Sequence, residues 1–300
     1  MPYSAYVEYT RQELADLAEQ ESDLVLTSIV RLQGLVDSSL KYSTLRNSGE
    51  EPRALPFMHV KLVQANLHNF WTSLPAQIQE NRQYLHYRLI SCDPIVRLLT
   101  TFCILDLVFS TYLSAQIYNY EVSLHKSLFQ SAPGIAHSHR IDMLYACLLA
   151  AKAQVDHYLT LPTSDFFGFS LIELSHLGQS FATLLRLALV EEAGWDLEYV
   201  RGSAIPIEYF HRVICRFEEV GNLLDANQHP GCGPSCPTHI ARVLSRVKTW
   251  YEGKISAESE QNPHHQGTTL GMEDVLIGDQ LDCIDDAYWL ELTGDFSFMQ

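Results

Sequence analysis

The chain has 300 residues, 47% of them apolar, and a formal net charge of −16 from 20 Lys+Arg against 36 Asp+Glu. Such a length buries a large core without a disulfide or metal staple, and the acidic balance, with its basic residues scattered, argues against the clustered Lys/Arg footprint of a nucleic-acid binder. The most apolar run, 94–118, is broken by Arg97 and Asp106, which disfavours a membrane span.

The first residues, MPYSAYVEYTRQELADLAEQE, are polar and acidic, unlike a secretory signal. Leu14, Leu17, Ala18, Leu24, Val25, Ile29, Leu32 and Val36 recur at helical spacing and predict one helix over 11–46. A loop at 47–53 leads to a second helix from Pro56 through Trp71, with Leu62, Leu67, Phe70 and Trp71 inward. A third segment begins near Arg82 and is broken or kinked at Pro94. A long apolar helix follows over about 95–129, then a turn at 131–138, then a helix over about 140–160 closed by Pro162.

The stretch 161–224 is the most informative. Phe169, Ile172, Leu177, Phe181, Leu184, Leu185, Ala188 and Leu189 fall at three- and four-residue steps, and Leu171, Leu174 and Leu187 make the helix apolar nearly all round, running to Val190. Such a helix is buried in a core. Glu173, His176, Gln179 and Arg186 interrupt it too often for a membrane span. Gly194 is expected in the left-handed conformation that ends a helix. Trp195 is expected to fold back on the core, with a ligand contact as the alternative, and Asp196 to cap the next segment. A helix over 206–225, a Pro/Gly-rich loop at 226–239 and a last helix over about 239–254 complete the pattern. No period-two run with hairpin turns appears. The expectation is an all-α, irregular multi-helix domain over 1–255, followed by a linker and acidic-aromatic tail over 256–300.

That tail has its own composition. Residues 271–300 hold eight acidic residues and no Lys or Arg, interleaved with large apolar side chains. Asp282, Asp285, Asp286, Tyr288, Trp289, Leu290 and Phe296 form the candidate activation segment, since charge keeps aromatics in water until a partner groove buries them. The alternative is a short amphipathic helix over 283–293 that docks back on the domain.

Other constellations are weaker. His229, Cys232, Cys236 and His239 have the chemistry of a zinc site without a recognised spacing, and a plain loop accounts for them better. Asp282, Asp285 and Asp286 with Glu273 offer D-x-x-D-D rather than the D-D-x-x-D of magnesium-dependent helical cyclases. His137 and His139 are read as a surface pair beside a turn. His137, Ser170 and Asp165 do not make a triad on sequence grounds, because triads are defined by geometry. Phosphate-loop, nucleophile-elbow and zincin motifs are absent. Cys92, Cys103, Cys147 and Cys215 sit in apolar runs, as reduced core thiols do. Neither catalytic residues nor a cofactor or metal are expected.

The order "LP, aromatic, long helix, GWD, four residues, R" in 161–201 resembles the regulatory domain of fungal zinc-cluster transcription factors. The passage 59–89 is similar to that family's "helix, W, LP, L-x-Y" passage, and DDAYWLELTGDFSF (285–298) to its acidic-aromatic end. The family's zinc cluster needs six cysteines in two C-x-x-C-x6-C arrays, which this sequence does not offer. The resemblance implies an all-helical regulatory and activation part, without DNA binding of its own, working in the nucleus or, as an alternative, the cytoplasm. Its implied partners are transcription co-regulator proteins, a homo- or heterodimer mate and a small effector. Two other readings stand beside it: a non-catalytic helical ligand-binding or scaffold protein and, more distantly, a metal-dependent helical enzyme.

Overall fold

The computed structural model describes residues 4–17, 21–47, 56–74, 104–129, 135–204, 206–227 and 233–261. All elements among them are helical: α1 (Ala5–Leu17), α2 (Glu21–Asn47), α3 (Pro56–Ser73), α4 (Ile104–Glu121), α5 (Ile135–Thr160), α6 (Leu171–Leu187), α7 (Leu197–Ala204), α8 (Pro206–Asp225) and α9 (Cys236–Gln261). Short 3-10 turns occupy Val122–Leu124, Lys126–Phe129 and Thr163–Gly168. The expected all-α class is the observed one. The chain divides into two compact units, Met1–Ala204 and Ile205–Gln300.

In the first unit α4 packs against α2, α3, α5 and α6. Its apolar residues lie all around its circumference, the pattern of a helix enclosed on every side. Val108 and Ala115 join Val25, Leu32 and Val36 of α2 and Val63, Leu67 and Phe70 of α3 in one buried cluster, with Trp71 and Tyr112 packed against it. On the other side α5 buries Leu144, Cys147, Leu148, Ala151 and Val155, and α6 buries Leu177, Phe181, Leu184 and Leu185. Each fully buried side chain of this size stabilises the fold by roughly 1.5–3 kcal/mol.

The second unit contains the α8–α9 hairpin. Phe210, Val213, Ile214, Phe217 and Val220 put the buried side chains of α8 on one stripe. The turn is closed by a cap that crosses it. Asp225, the last residue of α8, accepts Thr238 Oγ1 and the Ser235 amide, each at 2.8 Å. These hydrogen bonds, led by that from Thr238, hold the Asp225 carboxyl below the usual carboxylate range. A carboxylate at the start of α9 is favoured by the exposed amides there.

Several expectations are corrected. The helix expected over 11–46 is two helices, α1 and α2. Leu62, expected inward, is 61% exposed, because the buried stripe of α3 runs through Val60, Val63, Leu67 and Phe70 and leaves it outside. The helix expected to reach residue 129 is α-helical only to Glu121 and continues as 3-10 turns. Helix α5 begins at Ile135, inside the expected turn. Helix α6 ends at Leu187 rather than Val190, and Leu171 and Ile172 in its first turn are exposed beyond the packed face. Helix α9 starts earlier and ends later than expected and takes in 256–261, read above as linker. Cys215, expected as a core thiol, is exposed on α8. The segment from Arg82 to Pro94 lies outside the described residues.

Helices α8 and α9 come close together at Gly221, where an added methyl would meet the Thr238 side chain and stand 2.9 Å from its backbone nitrogen. Gly221→Ala should therefore destabilise the protein by about 1–3 kcal/mol through overpacking. Gly253→Ala, at a helical glycine with nothing within 4 Å, should instead raise stability by about 0.5–1 kcal/mol. Urea unfolding of the two variants checks the opposite signs.

Candidate functional site

The chain between α6 and α7 is built from separate local causes. Ser170 starts α6 with a capping box: its hydroxyl accepts the Glu173 amide at 3.4 Å, and Glu173 Oε2 accepts the Ser170 amide at 2.8 Å. Beyond the end of α6, Gly194 takes φ +84°, a conformation that costs other residues roughly 1–2 kcal/mol. Trp195 is 6% exposed; its indole N–H donates to the Leu187 carbonyl at 3.2 Å and its ring lies 4.6 Å from that of Tyr145. Asp196 Oδ1 accepts the Tyr199 amide at 2.8 Å and so caps α7. Arg201 donates from Nε to the Ala188 carbonyl at 3.0 Å. The expected turn, core anchor and cap are thus all in place, and Trp195 is a core residue.

Glu192 ties this corner to α5 and the turns before it. Its carboxylate pairs with the nearly buried Arg140, with Lys126 at 3.5 Å and with His137 Nδ1 at 3.6 Å. Arg140 also donates from Nε to the Ser123 carbonyl at 2.8 Å. His137 Nε2 lies 2.8 Å from the Ala193 carbonyl oxygen.

A polar seam runs through the core between α4, α5 and α6. The Ser110 hydroxyl lies 2.6 Å from Tyr158 Oη and 3.2 Å from His176 Nδ1, and accepts Gln154 Nε2 at 2.8 Å. Tyr158 also donates to the Glu173 carbonyl at 3.1 Å. Further along, Ser114 donates to Gln179 at 2.7 Å and Thr183 to Glu121 at 2.5 Å. Burial lowers the His176 imidazole to about 4 and raises the Tyr158 phenol and the Cys147 thiol. Burial also raises the Glu121 carboxyl, against the pull of Thr183, Arg186 and Gln179. Ser110 and His176 have the chemistry of a nucleophile and base, but Ser110 is 1% exposed and its hydroxyl is shared among three partners. The seam is a structural network.

Among the described residues are two surface cavities. A cleft of about 250 Å³ between α3 and α5 has Val60, Tyr120 and Met143 in its buried wall and Lys61 and Asp142 at its rim. In its lining the Phe57 and His139 rings stack at 4.7 Å. A groove of about 550 Å³ on the α8–α9 hairpin is lined by Glu218 and Asn222 from α8 and by Ala241, Arg242 and Arg246 from α9.

The residues singled out from sequence fare differently. Asp282, Asp285, Asp286, Tyr288, Trp289, Leu290 and Phe296 lie outside the described residues, as do His229, Cys232 and Glu273. Among the described residues no group of three or more His, Cys, Asp or Glu is arranged to hold a metal ion. Ser170 caps α6, His137 serves Glu192, and Asp165 belongs to the 3-10 turn before α6. No described helix is long and apolar enough to cross a membrane.

A family model described as "ATEG07667_C: C-terminal domain" matches residues 163–297, which includes the α6–α7 corner. Transcription factor opdL of Penicillium oxalicum (strain 114-2 / CGMCC 5302) is 24% identical over 294 residues, covering 97% of this chain and 46% of that protein. The chain resembles the C-terminal region of a fungal transcription factor. It spans about half the length of the curated relative it matches. No solved structure matches it.

The lowered His176 has a consequence for stability. Unfolded, the imidazole takes up its proton near the ordinary value of about 6.5; folded, it stays neutral down to about 4. Between these values the unfolded chain binds more protons, so this group destabilises the fold as pH falls. The raised Glu121 has the opposite sign, because its unfolded form loses its proton first as pH rises. His176→Gln should flatten the loss of stability between pH 6.5 and about 4, seen as a smaller change in urea midpoint across that window.

Proposed function

We propose that this chain is the regulatory portion of a fungal transcription regulator that acts in the nucleus through protein–protein contacts and carries no DNA-reading surface of its own. The observation that carries the reading is the likeness to opdL along nearly the whole chain. The matched C-terminal domain, which extends through the acidic-aromatic tail, supports it. In this reading the tail supplies the contact to co-regulators, with Tyr288, Trp289, Leu290 and Phe296 as the buried side of that contact and Asp282, Asp285 and Asp286 as its solvated side. The α3–α5 cleft supports the effector part of the reading: its Phe57–Tyr120 side and Lys61–Asp142 rim suit a small planar molecule that carries a charged group. DNA targeting then belongs to a separate module or to a partner.

Fusion of the chain, and of residues 255–300 alone, to a heterologous DNA-binding domain tests the activation role. Both fusions should switch on a reporter, and Trp289→Ala with Phe296→Ala should abolish most of the signal; silence of both fusions counts against the reading. The unfused chain should leave a defined duplex unshifted in an electrophoretic assay at physiological salt. A shift that survives competitor DNA would overturn the DNA part of the proposal.

A further inference from the structure

The α8–α9 groove has a specific chemistry that one segment of this chain's sequence matches. Arg242 and Arg246 are four residues apart and therefore neighbours on one face of α9. Both are exposed. Arg242 has the Asp225 carboxylate nearby, and Glu218 is a single acid on the opposite wall. Between the walls lie Ala241 and the side chains of Asn222 and Ser245. A volume of about 550 Å³ falls within the ~300–1,000 Å³ of sites that bury sizeable groups. The groove therefore offers two guanidinium forks above a partly apolar floor, which suits an acidic segment that also carries aromatic side chains.

We propose that residues 271–300 of this same chain occupy the α8–α9 groove, with Asp285 and Asp286 against Arg242 and Arg246 and Trp289 over its floor. Three observations support an intramolecular occupant. The first is charge: the groove lining holds Arg242 and Arg246 against one acid, Glu218, whereas 271–300 carries eight acids and no base. The second is reach. From Gln261 back to Arg246 along α9 is about 22 Å at ~1.5 Å per residue, and the nine uncharged residues 262–270 span up to about 30 Å when extended. The third is that the matched C-terminal domain runs from 163 to 297 and so takes the acidic segment together with α8 and α9. The contact does not depend on a role in transcription. Its consequence does: a docked tail is withheld from co-regulators, and this part rests on the reading above.

The test uses the full chain with Trp289 replaced by the photoreactive p-benzoylphenylalanine. After irradiation, cross-links should join 289 to peptides of α8 and α9 within one polypeptide. Arg242→Glu with Arg246→Glu should lower their yield several-fold, and adding Asp285→Arg with Asp286→Arg should restore it. Circular dichroism checks that the variants fold, and Arg242→Gln with Arg246→Gln stands in if the reversed pair does not. Cross-links that fall on residues 1–204, that join two chains, or that ignore charge reversal overturn the proposal. In the reporter fusion, Arg242→Glu with Arg246→Glu should raise the signal. Intramolecular cross-links with a silent reporter would defeat the transcription reading alone, and an active reporter with scattered cross-links would defeat the docking alone.

Discussion

Helix α4 packs against α2, α3, α5 and α6, so each of its buried polar side chains must find a partner inside the protein. An unpaired buried polar group costs about 1–3 kcal/mol, and α4 carries Ser110, Thr111, Ser114 and Asn119 in its buried surface. The rest of the first unit is arranged around that demand. Thr111 returns its hydroxyl to the Leu107 carbonyl of its own helix at 2.7 Å. Asn119 donates to the Val60 carbonyl of α3 at 3.1 Å. Ser110 and Ser114 instead require Gln154 and Tyr158 from α5 and His176 and Gln179 from α6. These bonds are directional where apolar contact is not, so they fix the register of α5 and α6 against α4. The same low-polarity surroundings explain why His176 stays neutral and Tyr158 holds its proton.

The corner after α6 follows from a second demand of the same kind. A helix that ends beside the core must turn without leaving carbonyls bare. Trp195 answers with an indole N–H on Leu187, and Arg201 answers with its guanidinium on Ala188. Only then does Asp196 start α7. Glu192, held by Arg140, Lys126 and His137, fastens the turn to the start of α5. The pairing with Arg140 is the one of weight, because both side chains are nearly buried, whereas Lys126 is 61% exposed and contributes little.

What was legible in the sequence is what is local. Helix α8 runs over 206–225 as its amphipathic pattern indicates, with Pro206 at the first helical position, where a missing N–H costs nothing. Gly194, Trp195 and Asp196 each announce a backbone or packing task in their own side chain. What depends on distant partners could not be read. Asp225 caps α9 from across a turn, so the start of that helix looked later than it is. The role of Glu192 is a further case, because Lys126, His137 and Arg140 lie far back in the chain. The polar seam was hidden for the same reason: Ser, Gln and Thr on apolar helices are ambiguous until the helices meet. Leu62 was misplaced because an apolar residue next to a buried stripe satisfies the same spacing from outside it. The candidate activation segment rests on composition alone.

The distribution of charge bears on function more than its total does. Residues 271–300 account for half of the net −16, so the remainder of the chain is far less acidic than the total implies. Several of the described basic groups are already engaged within the fold. Arg140 is nearly buried on Glu192 and Ser123, and Arg201 bonds Ala188. Arg31 lies over the Phe70 ring and reaches Ser73, while Arg11 and Lys41 pair with Glu8 and Asp37 on their own helices. Phosphate binding needs cations free to release counterions and clustered along one track. Cations held by carbonyls, rings and neighbouring carboxylates on separate helices do not form such a track. In the proposed reading these engaged cations, together with the acidic total, are the physical ground for placing DNA contact in another module.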